Sequence, residues 1–122
     1  MGKVVLAIDT SASIDQVALS QFETEMQSIL AEMQPEQTDV IYCDTKVQRT
    51  ETFTAGETVA LSAIGGGGTR FQPVFDAVEE PPACLVYFTD LEAAMPIEPG
   101  YPVLWAVCGS RIAEFGETIT LE

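Results

Sequence analysis

Val4-Val5-Leu6-Ala7-Ile8-Asp9-Thr10-Ser11-Ala12-Ser13 is an apolar run that ends on an acid and passes at once into hydroxyl residues. A short apolar run bounded by turn formers reads as a buried strand, and its last residue is a carboxylate delivered to the strand tip. The run Leu85 to Asp90 (LVYFTD) repeats the pattern, and between the two lies Gly65-Gly66-Gly67-Gly68-Thr69. Two carboxylates and several hydroxyls can therefore converge at one edge of a sheet. Such an all-oxygen set suits a hard divalent cation such as Mg²⁺.

Beyond Ser13 the apolar positions Ile14, Val17, Ala18, Phe22, Met26, Ile29, Leu30 and Met33 recur every three or four residues and predict an amphipathic helix from Ile14 to Met33. Ser13-Ile14-Asp15-Gln16 has capping-box spacing, so Ser13 is the expected cap, with Asp15 at the positive end of the dipole and Pro35 closing the helix. Val40 to Cys43 reads as a second strand, Asp44-Thr45 as a tight turn, and Lys46 to Thr54 as a third strand whose alternating polarity suits an antiparallel edge. Ala55 to Ile64 follows no clear period.

Phe71, Val74, Phe75 and Val78 mark a short helix with Pro73 in its first turn and Pro81-Pro82 after it. Ala83 to Thr89 makes the fourth strand and Val103 to Cys108 the fifth. Residues 91 to 102 hold Pro96, Pro99, Gly100 and Pro102 and are too broken for a full crossover helix, while Glu117 to Leu121 alternates and adds a last strand. Near-continuous apolar strands separated by helical or long connections predict an α/β fold. Its sheet is mainly parallel, covered on both faces, with one antiparallel edge strand. Phe22, Phe71, Phe75, Phe88 and Trp105 fall at core-facing positions, which speaks for packing rather than a cofactor pocket.

The 122 residues suit a single domain, 1–122, able to bury most of its apolar surface. Although 47% of residues are apolar, no uninterrupted apolar segment approaches the roughly 20 residues of a membrane helix. Met1-Gly2-Lys3 runs into the first strand without a signal-peptide pattern, so a cytoplasmic protein is the expectation. Nineteen acidic residues against five basic ones give a net charge of −14, and Lys3, Lys46, Arg49, Arg70 and Arg111 are scattered. Nucleic acid is excluded as an expected partner; a solvated acidic surface or a basic protein partner remains. Cys43, Cys84 and Cys108 show no CxxC spacing and the chain has no histidine, so they read as small buried hydrophobes in a reducing compartment.

In open α/β sheets, ligands bind outside the carboxyl ends of strands where strand order reverses. If the first and fourth strands are neighbours, Ser11, Ser13, Thr69 and Asp90 border one crevice with Asp9. In this arrangement the chain resembles a von Willebrand factor A-type (vWA) domain with a metal-ion-dependent adhesion site, whose pattern is DxSxS, then a threonine, then an aspartate. The run GGGGTRFQPVF together with YPVLWAV is similar to the compact bacterial branch of that family. The resemblance implies a three-layer, Rossmann-like fold and a metal site of Asp9, Ser11, Ser13, Thr69 and Asp90. It further implies that Ser11 and Ser13 bind Mg²⁺ (or Mn²⁺) directly, that Asp9 and Asp90 act mostly through water, and that Thr69 does either according to state. Hydroxyls leave the cation under-neutralised, so a partner's Glu or Asp is expected to complete its shell.

The function expected on this reading is a metal-dependent protein-binding module without catalytic activity. Relatives in this branch are associated with MoxR-type AAA+ ATPases or follow a metallopeptidase-like domain, which names the expected partners. Arg70 departs from the pattern, since many relatives carry an acidic or amide residue beside the threonine. Pointing inward, it would pair with Asp9 or Asp90 and replace the metal by an ion-pair network. The alternative function is then a decayed metal site with purely electrostatic contacts.

Enzyme readings have less behind them. Asp9-Thr10-Ser11 resembles an aspartic-protease signature, but the periodic helix after Ser13 conflicts with that all-β fold. A dehalogenase-type phosphatase wants an aspartate where Ser11 stands, the glycine run lacks a P-loop lysine, and no Ser-His-Asp triad is possible without histidine. A metal-dependent hydrolase would have only Asp15, Glu92 or a non-liganding aspartate as its general base.

Overall fold

The computed structural model describes residues 2–62 and 66–121. Its elements in chain order are β1 (Lys3–Asp9), α1 (Gln16–Met33), β2 (Gln37–Cys43), β3 (Val47–Thr54), α2 (Gln72–Ala77), β4 (Cys84–Thr89), β5 (Val103–Val107) and β6 (Glu117–Thr120). The sheet runs β3-β2-β1-β4-β5-β6, parallel throughout except for the antiparallel β2–β3 pair at one edge. Its two apolar faces are both covered, giving the three-layer α/β arrangement expected from the strand patterns.

β1 shows why these strands read as continuous apolar runs. Side chains alternate between faces, so Val4, Leu6 and Ile8 enter the core beneath α1 with Phe22, Met26 and Ile29. Val5 and Ala7 enter the opposite core with Phe71, Val74 and Phe75 of the α2 region. That second core is largely aromatic. Trp105 stacks on Tyr87 at a centroid distance of 5.1 Å and meets the edges of Phe71 and Phe115 at 5.2 and 5.8 Å. No helix covers residues 91–102; Leu91, Met95 and Tyr101 pack from an irregular segment instead.

The α1 boundary corrects the expected cap. The helix begins at Gln16, two residues later than Ile14, and its N-cap is Asp15, whose Oδ1 accepts the Ala18 amide at 2.8 Å. An aspartate cap contributes about 1 kcal/mol, and it frees Ser13 for another bond. At the other end Gln34 adopts φ 47°, ψ 59° and donates its amide to Leu30 O at 2.9 Å, so the helix stops just before Pro35. The remaining boundaries move little, except that β2 begins at Gln37 rather than Val40 because the parallel pairing Lys3↔Gln37 carries it further. Residues 55–62 are neither helix nor strand, though Val59 is buried against the α1 core; Ala63 and Ile64 of that ambiguous stretch lie outside the described residues.

Cys43 and Cys84 are buried as expected, but Cys108 is only half-buried, because it lies just past the end of β5. All three are free thiols. Among the described residues no helix is long and apolar enough to cross a membrane.

The entry to β6 depends on Gly116, which has φ +72° and lies so close to the Val103 carbonyl that any Cβ would collide with it. Gly116→Ala should cost about 1–3 kcal/mol from backbone strain alone, with displacement of β6 in addition. Calorimetric unfolding of the variant beside wild type measures this, and equal midpoints would contradict it.

Candidate metal centre

β1 pairs with β2 on one side and with β4 on the other, so the chain leaves β1 in one direction and returns beside it from the other. The crevice at a switch of that kind opens between the tips of β1 and β4, where Asp9 and Asp90 stand. Backbone bonds extend the ladders past both tips: the Thr10 amide donates to Cys43 O and the Cys108 amide to Thr89 O, each at 3.0 Å. The acids are thus carried on fixed backbone.

Four of the five expected residues join in one hydrogen-bonded chain. Asp9 Oδ1 accepts the Ser11 amide at 2.9 Å, and Ser11 Oγ lies 3.0 Å from Ser13 Oγ. Ser13 Oγ in turn donates to Asp90 Oδ2 at 2.7 Å across 77 positions of sequence. Asp9, Ser11 and Asp90 are buried, while Ser13 is exposed.

Thr69 is the exception, for it makes no hydrogen bond with this chain of groups. It is half-buried and lines a neighbouring hollow of about 280 Å³ with Arg70, Gln72, Met95, Pro96 and Ile97. Its loop is nevertheless tied to the centre, because Gly67 O accepts the Ala12 amide at 2.9 Å, midway between the two serines. Gly65 lies outside the described residues.

Arg70 does not form the ion pair considered from sequence. It is exposed, and among the described residues the ion pairs are Lys3 with Asp39 and Arg49 with Glu51. The carboxylates of Asp9 and Asp90 are left facing hydroxyls and amides rather than a guanidinium.

Sequence reasoning passed over Thr89 and Asp44 as site residues and weighed Glu92 only as a general base. The Thr89 hydroxyl donates to Asp9 Oδ2 at 2.6 Å and accepts the Leu91 amide at 3.1 Å, so it orients the carboxylate from the neighbouring strand. Asp44 ends β2 as Asp9 and Asp90 end their strands, and the run Val40-Ile41-Tyr42-Cys43-Asp44 carried the same signal. Glu92 is exposed, donates its amide to Asp90 Oδ1 at 3.1 Å, and has its own pKa raised by hydrogen bonding and charge from the Asp90 carboxylate.

Burial pushes the Asp9 pKa up, against hydrogen bonds from Thr89 and Ser11 that pull it down, and the Asp90 charge adds to the rise. An ionised Asp9 is therefore held at a cost that a nearby cation would relieve. A carboxyl whose folded pKa is raised favours folding once protonated. The metal-free protein should thus gain stability as pH falls through the folded pKa of Asp9, the gain being complete below the ordinary value of 3.8. Unfolding midpoints in EDTA across pH 7 to 4, read against Asp9→Asn, isolate this component. A gap between the two proteins that does not narrow on acidification would contradict it.

The donor set fits a small hard cation. It consists of oxygen alone, and two ligands side by side in an octahedron with bonds of about 2.1 Å lie about 3.0 Å apart, which matches Ser11 Oγ to Ser13 Oγ. Both Asp9 oxygens already accept hydrogen bonds, which suits a carboxylate acting through water. Among the described residues no group of three acidic, cysteine or histidine side chains is placed to hold a metal; the arrangement depends on hydroxyls.

Comparison with known proteins agrees with the fold. An uncharacterized protein of Thermotoga maritima is 30% identical over 97 residues, covering 78% of this chain and 24% of that protein. The chain thus spans about a quarter of the length of the curated relative it matches. No solved structure matches it. Residues 4–122 match the family model described as VWA-like domain (DUF2201). With its β3-β2-β1-β4-β5-β6 sheet and its Asp-x-Ser-x-Ser turn at the switch point, the chain belongs to the VWA-like domain (DUF2201) family.

Proposed function

We propose that this domain is a Mg²⁺-dependent protein-binding module in which Ser11, Ser13 and Asp90, steadied by Asp9, hold the cation and a partner's carboxylate completes its shell. The observation that carries this reading is the link Asp9–Ser11–Ser13–Asp90, which joins the tips of two strands far apart in sequence through oxygen atoms alone. When bound, the cation would supply a Lewis-acidic position open to an incoming carboxylate. Ser11 and Ser13 bring neutral oxygens to it. Asp9, anchored by Thr89 and the Ser11 amide, contributes charge without leaving its own hydrogen bonds.

Thr69 enters this site only if its loop turns toward the serines, and the Gly67 to Ala12 bond places the loop within one residue of both of them. Binding rather than catalysis is the favoured role, since the chain has no histidine and Glu92, an exposed acid beside the centre, is committed to Asp90. The partner classes suggested by the family resemblance, a MoxR-type AAA+ ATPase or a metallopeptidase-like domain, are carried into the proposal. A reducing cytoplasm is the setting that suits three free thiols.

The experiment is affinity capture on the immobilised chain with Mg²⁺, with EDTA, and in about 0.5 M salt, where the screening length falls to roughly 4–5 Å. Capture lost in EDTA and retained in salt supports the proposal. Capture lost in salt and indifferent to EDTA would support instead the decayed-site alternative, in which the −14 surface alone attracts the partner.

A further inference from the structure

Asp44 is buried at the tip of β2, beside the centre but outside its hydrogen-bonded chain. Its backbone carbonyl accepts the Arg70 amide at 2.9 Å. Its carboxylate lies against Gly67, where an added Cβ would stand 3.1 Å from Oδ2. Gly68 packs likewise on Thr45, with a Cβ position 3.2 Å from Thr45 Cγ2. A side chain at either glycine would press on the β2–β3 turn, so the close approach of the loop suits residues without one.

The carboxylate is itself held in place. Oδ1 accepts Gln48 Nε2 at 2.9 Å and the Lys46 amide at 3.2 Å. One residue therefore grips the glycine loop on both sides of Thr69, at Gly67 through its side chain and at Arg70 through its backbone. The Cys43 thiol adds a longer bond to Arg70 O at 3.4 Å. From Gly67 the connection continues through its carbonyl to Ala12, between Ser11 and Ser13.

We propose that Asp44 is a positioning residue that docks the glycine loop on the β2 tip and so sets the reach of Thr69 toward Ser11, Ser13 and Asp90. This role rests on the metal-binding reading above. A carboxylate suits it because Oδ1 takes two donors, Gln48 Nε2 and the Lys46 amide, while Oδ2 lies against Gly67. An asparagine presents one acceptor oxygen and sets an amino group either before the Gln48 and Lys46 donors or against Gly67.

The test is Mn²⁺ titration by calorimetry on wild type, Asp44→Asn, Thr69→Ala and the double variant, with amide exchange of metal-free wild type and Asp44→Asn. Asp44→Asn should weaken Mn²⁺ binding about 10-fold or more, the range for groups that orient metal ligands, and should add nothing in the Thr69→Ala background. The Ala12 and Arg70 amides should exchange faster in Asp44→Asn while Leu6 and Val86 of the central strands do not, which separates a loosened loop from a destabilised fold. Equal weakening with and without Thr69 would overturn the role, since Asp44 would then act as a distant charge. Unchanged exchange at Ala12 and Arg70 would overturn it as well. Wild type that takes up no Mn²⁺ removes the metal reading and this role together; uptake that Asp44→Asn leaves unaltered removes this role alone.

Discussion

Asp9→Asn should abolish measurable Mg²⁺ and Mn²⁺ binding and at the same time raise the unfolding midpoint of the metal-free protein by a few degrees. The two effects share one cause. Asp9 is fully buried, and desolvation is the largest influence on its pKa, so its charge is costly without a cation. Asparagine keeps the shape, lets its oxygen accept the Ser11 amide, and forfeits one hydroxyl hydrogen bond from Thr89, worth about 0.5–1.5 kcal/mol. Removing the buried charge outweighs that loss.

Asp9→Ala should lose metal binding equally but with the opposite change in stability. The Thr89 hydroxyl and the Ser11 amide would both be left without their acceptor, at about 1–3 kcal/mol for each buried group. Calorimetric titration with Mn²⁺ and scanning calorimetry in EDTA check both variants. Wild-type heat of binding in either would end the assignment of Asp9 to the metal centre, and an Asn variant less stable than Ala would refute the account of its buried charge.

Trp105→Ala should cost about 3–5 kcal/mol, a large part of the 5–15 kcal/mol that typically separates folded from unfolded domains. Trp105 is fully buried in the middle of β5, stacked on Tyr87 and ringed by Phe71, Phe75 and Phe115. These neighbours belong to β4, to the α2 region and to the loop before β6, so the cavity would loosen three elements at once. The indole Nε1 is buried without a hydrogen-bond partner among the described residues. Trp105→Phe removes that orphaned donor along with some volume, and should cost far less than alanine. Urea unfolding followed by circular dichroism compares the three proteins, because Trp105 is the sole tryptophan and fluorescence disappears with it. Equal losses for Phe and Ala would show that the stacked rings contribute little.

Much of this fold can be read locally, for reasons visible in single elements. A strand buried on both faces must be apolar at every position, so Val4 to Ile8 and Leu85 to Phe88 announce themselves without any neighbour. The 3.6-residue spacing of Ala18, Phe22, Met26 and Ile29 likewise needs only one face to pack. The cap of α1 was harder, because Ser13 and Asp15 both satisfy local capping chemistry. Which of them caps the helix depends on Asp90, an acceptor 77 positions away, drawing the Ser13 hydroxyl off.

The same distinction divides the centre. Asp-x-Ser-x-Ser and the aspartate after β4 are local patterns, and the sequence alone determined them, together with the α/β class, the mainly parallel sheet and the antiparallel edge. Strand order determined the rest. Only when β1 lies between β2 and β4 do Asp9, Thr89 and Asp90 share one crevice, with Asp44 reaching the glycine loop from the other flank. Thr69 falls on the tertiary side as well: its place in the pattern is local, but its distance from the serines is set by how the loop seats on Asp44 and Thr45, through contacts between residues more than twenty positions apart. Periodicity registers burial along one element, whereas hydrogen bonds between strand tips follow from how separate elements are laid side by side, and for that reason only the folded chain could decide them.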